Sequence, residues 1–165
     1  MIERRGELVD AGATRALGVA IGAAAVAGDV IALDGELGVG KTAMTRGIAA
    51  GMGLGEGVVS SPTFTIVQEY QAEAGGLRLV HMDAYRLGGA DELETIGWVE
   101  EGAELRRGAV VAVEWAEKIV AELPADRLCV RLTHAGWGRG LRLGAEAGSR
   151  WAGRLDELMA AVSGV

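Results

Sequence analysis

The stretch that decides the fold is Gly35-Glu36-Leu37-Gly38-Val39-Gly40-Lys41-Thr42. It matches the pattern G-x-x-x-x-G-K-[ST] in full, and it follows Val30–Leu33, an apolar run that predicts a short buried strand. Glycines let the backbone wrap closely around a phosphate, with its amides pointing inward. A helix beginning at Lys41 would aim its N-terminal dipole and its free N–H groups at the same anion. The stretch therefore predicts a phosphate-binding loop between a strand and a helix.

Two side chains of this loop have separate predicted roles. Lys41 is expected to reach the β- and γ-phosphates of a nucleotide, and the Thr42 hydroxyl is expected to ligate Mg²⁺. Of the 16 basic residues only 2 are Lys, and a forked guanidinium does not replace a compact ammonium. The alternative is a glycine-rich turn that binds nothing. It is disfavoured because a chance match to the full pattern is expected on the order of a few times in a thousand such chains.

The rest of the chain alternates predicted strands and helices over a single domain of residues 1–165. Helices are expected at 11–27 after the cap Asp10, 41–52, 91–107 with a break near Gly97, 116–122, and 149–162 after the cap Ser149. Strands are expected at 30–33, 63–70, 77–83, 109–114, 127–133 and 139–143, the last two forming a hairpin. This order indicates an α/β protein, a three-layer P-loop NTPase-like fold with a mixed, mainly parallel central sheet.

A phosphate loop of this kind needs a second carboxylate on the Mg²⁺ side, at the end of a neighbouring strand. Glu114 and Asp83 both end predicted strands, and their spacing alone does not divide the roles between them. Glu114 follows the more hydrophobic strand and is therefore the better candidate beside the metal. Either group could instead be a solvated charge at a strand end.

A polar alternation surrounds Asp83. His81, Asp83 and Tyr85 occupy alternate positions, so an extended chain would point all three side chains to one face. They could form a polar network near a phosphate. For His81, a structural hydrogen bond that fixes the following loop is the favoured interpretation.

The composition restricts the partners that the protein can bind directly. The net charge is −7 and the pI is about 4.9, which argues against a non-specific grip on RNA or DNA. The single cysteine, Cys129, permits no disulfide within the chain and is expected to be a strand residue. No signal peptide and no membrane span are evident, so a cytoplasmic location without membrane contact is expected.

The ordered set of motifs resembles the TsaE family, the ATPase of tRNA threonylcarbamoyladenosine biosynthesis. The matching residues are Gly35–Thr42, Ser61-Pro62-Thr63-Phe64-Thr65, His81-Met82-Asp83-Ala84-Tyr85-Arg86, Glu92-Leu93 with Gly97, Glu114-Trp115, and Thr14 with Leu17-Gly18. The phosphate loop alone is shared by many families, whereas the ordered set is specific. The resemblance runs from about Asp10 to Thr133.

The resemblance implies ATP or ADP with Mg²⁺ as ligands and assigns site residues. Thr42 and Glu114 would hold the metal, while Asp83 would act in hydrolysis with Lys41. Residues 35–43, from Gly35 to Ala43, would contact the nucleotide, with Trp115 close to it and Thr14 near the base. Ser61-Pro62-Thr63 would form a switch-like loop near the γ-phosphate. Ala43 departs from the family, in which a second hydroxyl often follows Thr42.

The resemblance also implies a weak ATPase that works in a multiprotein complex. Its partners would be the threonylcarbamoyl transferase and that enzyme's paralogue, and tRNA would be met only indirectly, through the complex. Two alternatives remain open at this stage: a small-molecule P-loop kinase and a nucleotide-dependent binding module without useful turnover. No lid-like insertion rich in Arg is apparent, which disfavours the kinase.

Overall fold

The structure, a computed structural model, describes residues 1–55, 59–60, 66–72, 75–88 and 90–163. Seven strands in this part of the chain form one sheet in the order β1-β7-β6-β2-β5-β4-β3. Their bounds are β1 Ile2–Leu8, β2 Val30–Gly35, β3 Val67–Tyr70, β4 Arg78–Asp83, β5 Ala109–Glu114, β6 Leu128–Ala135 and β7 Gly138–Ala145. The predicted mixed α/β sheet is confirmed.

The centre of the sheet is parallel and its edges are antiparallel. Strand β2 pairs in parallel with β5 on one side and with β6 on the other, and β4 continues the parallel set beyond β5. The outer strands β1, β7 and β3 pair antiparallel with their neighbours. Because β2, β5 and β4 run the same way, their carboxyl ends meet at one edge of the sheet, where ligands bind in open α/β sheets.

Strand β1 was not predicted from the sequence. Its residues Ile2–Leu8 are mostly charged or exposed, and only Leu8 is fully buried. The strand exists because its backbone pairs along its whole length with β7. A partner more than a hundred residues away gives no local signal in a strand that buries so little apolar surface.

The sheet separates two hydrophobic cores, which makes the fold three-layered. Alternate residues of β2 face opposite sides: Ile31 and Leu33 belong to one core, and Val30 and Ala32 to the other. Strand β5 is buried on both faces in the same way, as its continuous apolar sequence predicts. The first core is covered by α1 (Ala11–Ala24), α2 (Lys41–Gly51) and α5 (Leu155–Ser163).

Helices α1 and α2 position the phosphate loop. As predicted, Asp10 caps α1: its side chain accepts a hydrogen bond from the Ala13 N–H at 2.8 Å. The two helices approach closely through glycines, and a Cβ placed on Gly22 would overlap the carbonyl oxygen of Ile48. Helix α1 ends at Ala24, three residues before the predicted end.

The predicted helix at 91–107 is two short helices, α3 (Ala90–Thr95) and α4 (Ala103–Arg106). The expected break is present, since Gly97 has a φ of 81°. The segment after Ser149 is also divided, because a 3₁₀ turn at Ala152–Arg154 precedes α5. Residues 116–122 form a 3₁₀ helix. Among the helices of the described residues, none has the length and apolar character needed to cross a membrane.

Candidate functional site

The predicted loop joins the end of β2 to the start of α2. Gly40 is the N-cap of α2 and has a φ of 118°, a backbone conformation that favours glycine. The first N–H groups of α2 have no intrahelical partners, so they are free to bind an anion. The local strand-loop-helix order therefore has the form that phosphate binding requires.

Lys41 is almost fully buried in this loop. Its Nζ donates hydrogen bonds to the carbonyl oxygens of Gly35 at 2.5 Å and Glu36 at 2.8 Å. The same ammonium lies 3.9 Å from the centroid of the Trp115 ring. Burial lowers the pKa of Lys41, and the nearby carboxylates Glu114 and Asp83 oppose that shift. The loop thus holds a cation that is poorly hydrated and placed to gain from an anionic ligand.

Glu114 lies next to Thr42, and the role expected of this pair as metal ligands stays a prediction. The Thr42 hydroxyl donates to Glu114 Oε1 at 3.0 Å and is 3.3 Å from Oε2. Glu114 is only 4% exposed although it ends a strand. The interpretation of Glu114 as a solvated strand-end charge therefore does not hold.

His81 supports Glu114 from the neighbouring strand. Its Nε2 lies 2.8 Å from Glu114 Oε1, and the imidazole is completely buried. A carboxylate only accepts hydrogen bonds, so Nε2 is the donor in this pair. His81 makes a structural hydrogen bond, as expected, but the bond fixes the Glu114 carboxylate and not the loop that follows β4.

Asp83 is the residue of β4 that pairs with Glu114 of β5 in the sheet register. Its Oδ1 accepts a hydrogen bond from the Tyr85 N–H at 2.9 Å. The predicted extended alternation ends at Asp83, because Ala84–Arg86 form a 3₁₀ turn. Tyr85 is consequently largely exposed, and its ring lies 4.9 Å from that of Trp115.

These groups converge on one cleft of about 200 Å³ at the carboxyl edge of the sheet. Its lining residues are Leu37, Gly38, Gly40, Lys41, Thr42, Ala43, Asp83, Glu114 and Trp115. The cleft joins one buried cation, backbone amides and two carboxylates, which suits a phosphate chain with an associated metal ion. A cleft of about 380 Å³ between Leu87 and the 116–122 helix has no such convergence of charged groups.

The oxygen atoms of Thr42 and Glu114 fit Mg²⁺ as a ligand pair. Two oxygens in adjacent positions of an octahedron with bonds of 2.0–2.1 Å lie about 2.9 Å apart. The 3.0 Å separation of Thr42 Oγ1 and Glu114 Oε1 is close to this value. Among the described residues there is no cluster of three or more His, Cys, Asp or Glu able to hold a metal. A Mg²⁺ here would accordingly complete its shell with phosphate and water oxygens, as this ion usually does.

Trp115 adopts an unusual backbone conformation at the edge of the cleft. Its φ of 57° and ψ of 38° lie in the left-handed region, which costs a non-glycine residue about 1–2 kcal/mol. This conformation turns the chain from β5 into the 116–122 helix and leaves the ring beside Lys41. Strained residues of this kind cluster at functional sites.

The structure does not test two of the predicted site segments. Thr14 is fully buried in α1, and its hydroxyl donates to the Asp10 carbonyl oxygen at 3.2 Å, so contact with a base remains a prediction. A Cβ built on Gly40 would lie 3.6 Å from the Thr14 methyl carbon. Ser61-Pro62-Thr63 lies outside the described residues.

Sequence reasoning missed Arg139, whose Nε donates a hydrogen bond to the Val39 carbonyl oxygen of the loop. A signal was present in the alternation of β7. Leu141 and Leu143 point into the core, and Arg139 occupies the same alternating register. A charged residue at an inward position close to a strand end marks a place where it has a specific partner.

The residues that line the cleft lie within the part of the chain that matches a known protein family. Residues 8–140 match the family model described as Threonylcarbamoyl adenosine biosynthesis protein TsaE. The chain is 46% identical over 110 residues to the tRNA threonylcarbamoyladenosine biosynthesis protein TsaE of Streptomyces coelicolor, covering 66% of this chain and 71% of that one. It is 43% identical over 123 residues to the Bacillus subtilis protein of the same name, covering 74% and 73%. The crystal structure of Bacillus subtilis YdiB matches with a TM-score of 0.69 and 32% identity, covering 98% of this chain and 95% of that one.

Proposed function

The chain belongs to the TsaE family, and on that premise we propose that it is a P-loop ATPase supporting threonylcarbamoyladenosine formation at position 37 of tRNA. The observation that carries the proposal is the convergence of Lys41, Thr42 and Glu114 on one cleft at the carboxyl edge of the sheet. Residues 35–43 bind the phosphate chain of ATP through backbone amides, and Lys41 leaves its carbonyl partners for the β- and γ-phosphates. The exchange is favourable because a buried ammonium gains more from an anion than from neutral carbonyls.

Thr42 and Glu114 hold Mg²⁺ in this proposal. The ion, when bound, neutralises charge that develops on the phosphate oxygens during transfer. The His81 imidazole keeps the Glu114 carboxylate oriented toward Thr42. Asp83 faces the same cleft with its Oδ1 held by the Tyr85 N–H. Asp83 orients the water that attacks the γ-phosphate, because it is the second carboxylate lining the cleft and is not bonded to Thr42.

ATP hydrolysis by this chain supports a reaction that partner proteins carry out. With a net charge of −7 the chain is not suited to hold tRNA by itself, because holding the many phosphates of a nucleic-acid backbone requires clustered basic residues. Its partners are the threonylcarbamoyl transferase and that enzyme's paralogue. The chain meets tRNA only through this complex, which works in the cytoplasm. The Ser61-Pro62-Thr63 segment senses the γ-phosphate and couples the nucleotide state to docking. Hydrolysis is slow alone and faster in the complex.

A reconstituted reaction tests this function. Purified transferase, paralogue, ATP and unmodified tRNA are combined with this chain or with its Lys41→Ala variant. Modification over many turnovers is expected only with the unchanged chain, and the variant should lose about 10²–10³ in ATPase rate. Arg154→Ala, which alters an exposed guanidinium paired with Glu157, is the control and should behave as the unchanged chain.

Equal multiple-turnover modification with Lys41→Ala would refute the ATPase role. Transfer of phosphate from ATP to a small acceptor rather than to water would instead identify a kinase. ATP binding without hydrolysis, even with both partners present, would identify a nucleotide-dependent binding module.

A further inference from the structure

The β6–β7 hairpin brings an arginine to the back of the phosphate loop. Arg139 is half-buried, and its Nε donates a hydrogen bond to the carbonyl oxygen of Val39, a residue 100 positions away. A Cβ built on Gly40 would lie 3.0 Å from the same Nε. Arg139 is not one of the described residues that line the phosphate cleft. It therefore contacts the loop from outside the cleft.

The backbone of Arg139 is held on both sides. In the sheet register it pairs with Leu8 of β1 and with His134 of β6. Leu8 is completely buried, so this part of β7 is tied to the hydrophobic core beneath α1. The Cα of Arg139 therefore has a fixed position relative to the loop, because the strand that carries it is paired on both sides.

The hydrogen bond fixes one peptide plane of the loop. The Val39–Gly40 peptide is trans, so the Val39 carbonyl and the Gly40 N–H point in opposite directions. With the carbonyl oxygen held by Arg139 behind the loop, the Gly40 N–H is turned away from Arg139. Gly40 itself lines the phosphate cleft.

A peptide next to glycine needs such a restraint. Gly40 has no Cβ and a φ of 118°, so the preceding peptide can rotate with little steric cost. Rotation by half a turn would direct the Val39 carbonyl oxygen toward the phosphates and would remove a donor from the anion site. The half-buried Arg139 contact favours the orientation that presents the N–H.

We propose that Arg139 is a positioning residue for nucleotide binding, holding the Val39–Gly40 peptide so that the Gly40 N–H faces the β-phosphate. This inference rests on the proposed nucleotide-binding function. It gives the C-terminal hairpin a role in the site, since strand β7 supplies the residue that preorganises the loop. Arg139 acts on the phosphates through the peptide and has no contact with the base or the ribose.

Two substitutions of similar length separate the hydrogen bond from the charge. In Arg139→Gln the amide nitrogen takes the place of Nε, three carbons from the backbone, so a donor is kept while the charge is lost. In Arg139→Met the length and the apolar stem are kept while the donor is lost. Arg142→Met is the matched control, because Arg142 lies on the same strand, is exposed, and makes a long ion pair of 3.9 Å with Glu3.

The measurement is calorimetric affinity for ADP and for inorganic pyrophosphate, with unfolding midpoints recorded without ligand. Arg139→Met should weaken both ligands by the same factor, roughly tenfold for the loss of one hydrogen bond of this kind. Arg139→Gln and Arg142→Met should stay within about twofold of the unchanged chain. Comparing affinities at a temperature where every variant is folded separates positioning from a loss of stability.

Several results would overturn the inference. Unchanged affinities in Arg139→Met would show that the hydrogen bond does not position the loop. Equal losses in the Gln and Met variants would assign the effect to charge. A loss for ADP but not for pyrophosphate would place Arg139 at the base or ribose. If the unchanged chain bound neither ligand, the proposed function would fail together with the inference, whereas binding by the unchanged chain leaves only the inference at stake.

Discussion

His81 Nε2 and Glu114 Oε1 lie 2.8 Å apart on adjacent strands, and neither side chain is more than slightly exposed. The same carboxylate oxygen accepts a hydrogen bond from the Thr42 hydroxyl at 3.0 Å. Among the described residues the His81 Nδ1 has no hydrogen-bond partner, so the imidazole is held by Glu114 alone. A buried imidazole that uses this hydrogen bond on the Glu114 carboxylate determines where that carboxylate points.

We therefore expect His81 substitutions to change the Mg²⁺ dependence of nucleotide binding. In His81→Gln the side-chain nitrogen can occupy the position of Nε2, whereas in His81→Asn the shorter side chain cannot reach Glu114. The Asn variant should lose about 10–100-fold in the ratio of ADP affinities measured with Mg²⁺ and with EDTA, and the Gln variant should lose much less. A ratio that is the same in both variants and in the unchanged chain would contradict this role.

Substitutions of Glu114 and Asp83, the two carboxylates at the sheet edge, should affect different steps. Glu114→Gln is expected to weaken Mg²⁺-dependent ADP binding, because it removes the charged partner of Thr42. Asp83→Asn should leave that binding within a few fold and lower the hydrolysis rate by about 10²-fold, the effect of losing a positioned catalytic group. Calorimetry and single-turnover hydrolysis give the two quantities. The assignment of roles is wrong if Asp83 controls Mg²⁺ affinity.

Asp34, at the end of β2, gives a pH-dependent prediction. Burial raises the pKa of its carboxyl above the ordinary value of 3.8, and the hydrogen bond from the Glu117 N–H opposes that shift. The folded protein thus retains a proton that the unfolded chain releases, so stability falls as pH rises from about 3.8 through the folded pKa and is then constant. Asp34→Asn keeps an acceptor for Glu117 and should gain stability relative to the unchanged chain across that window. Thermal unfolding from about pH 3 to pH 8 measures the difference.

A carboxylate with the opposite shift provides the control for Asp34. The hydrogen bond from Arg4 lowers the pKa of Asp156. Asp156→Asn should therefore lose stability at neutral pH, and that loss should vanish as pH falls through the folded pKa. Two variants with the same trend would show that the pH dependence arises elsewhere in the protein.

The close contact of α1 with α2 predicts a large penalty for a single methyl group. In Gly22→Ala the new Cβ would overlap the carbonyl oxygen of Ile48, so the helices must separate. The free energy of unfolding should fall by about 1–3 kcal/mol or more, as in other overpacked cores. Gly153→Ala has no atom within 4 Å of the new Cβ and should stay within about 0.5 kcal/mol. Denaturant unfolding of both variants makes the comparison, and equal stabilities would show that the helices can separate at little cost.

Much of the fold could be predicted from the sequence because its signals are local. The phosphate loop, the buried strand β5 and the Asp10 cap each depend on residues within a few positions of one another. The glycines and Lys41 predict a phosphate-binding loop whatever surrounds them. The position of Glu114 could also be predicted locally, because it directly follows the apolar run of β5.

Only the tertiary structure decided how distant residues meet at the site. Strand β1 has no local pattern and forms through its register with β7, and that register carries Arg139 to the Val39 carbonyl. Likewise, the pairing of β4 with β5 places His81 within hydrogen-bonding distance of Glu114. Periodicity along one strand reveals which face a side chain occupies. The partner on a neighbouring strand depends on strand order and register, which the packing of the whole sheet selects.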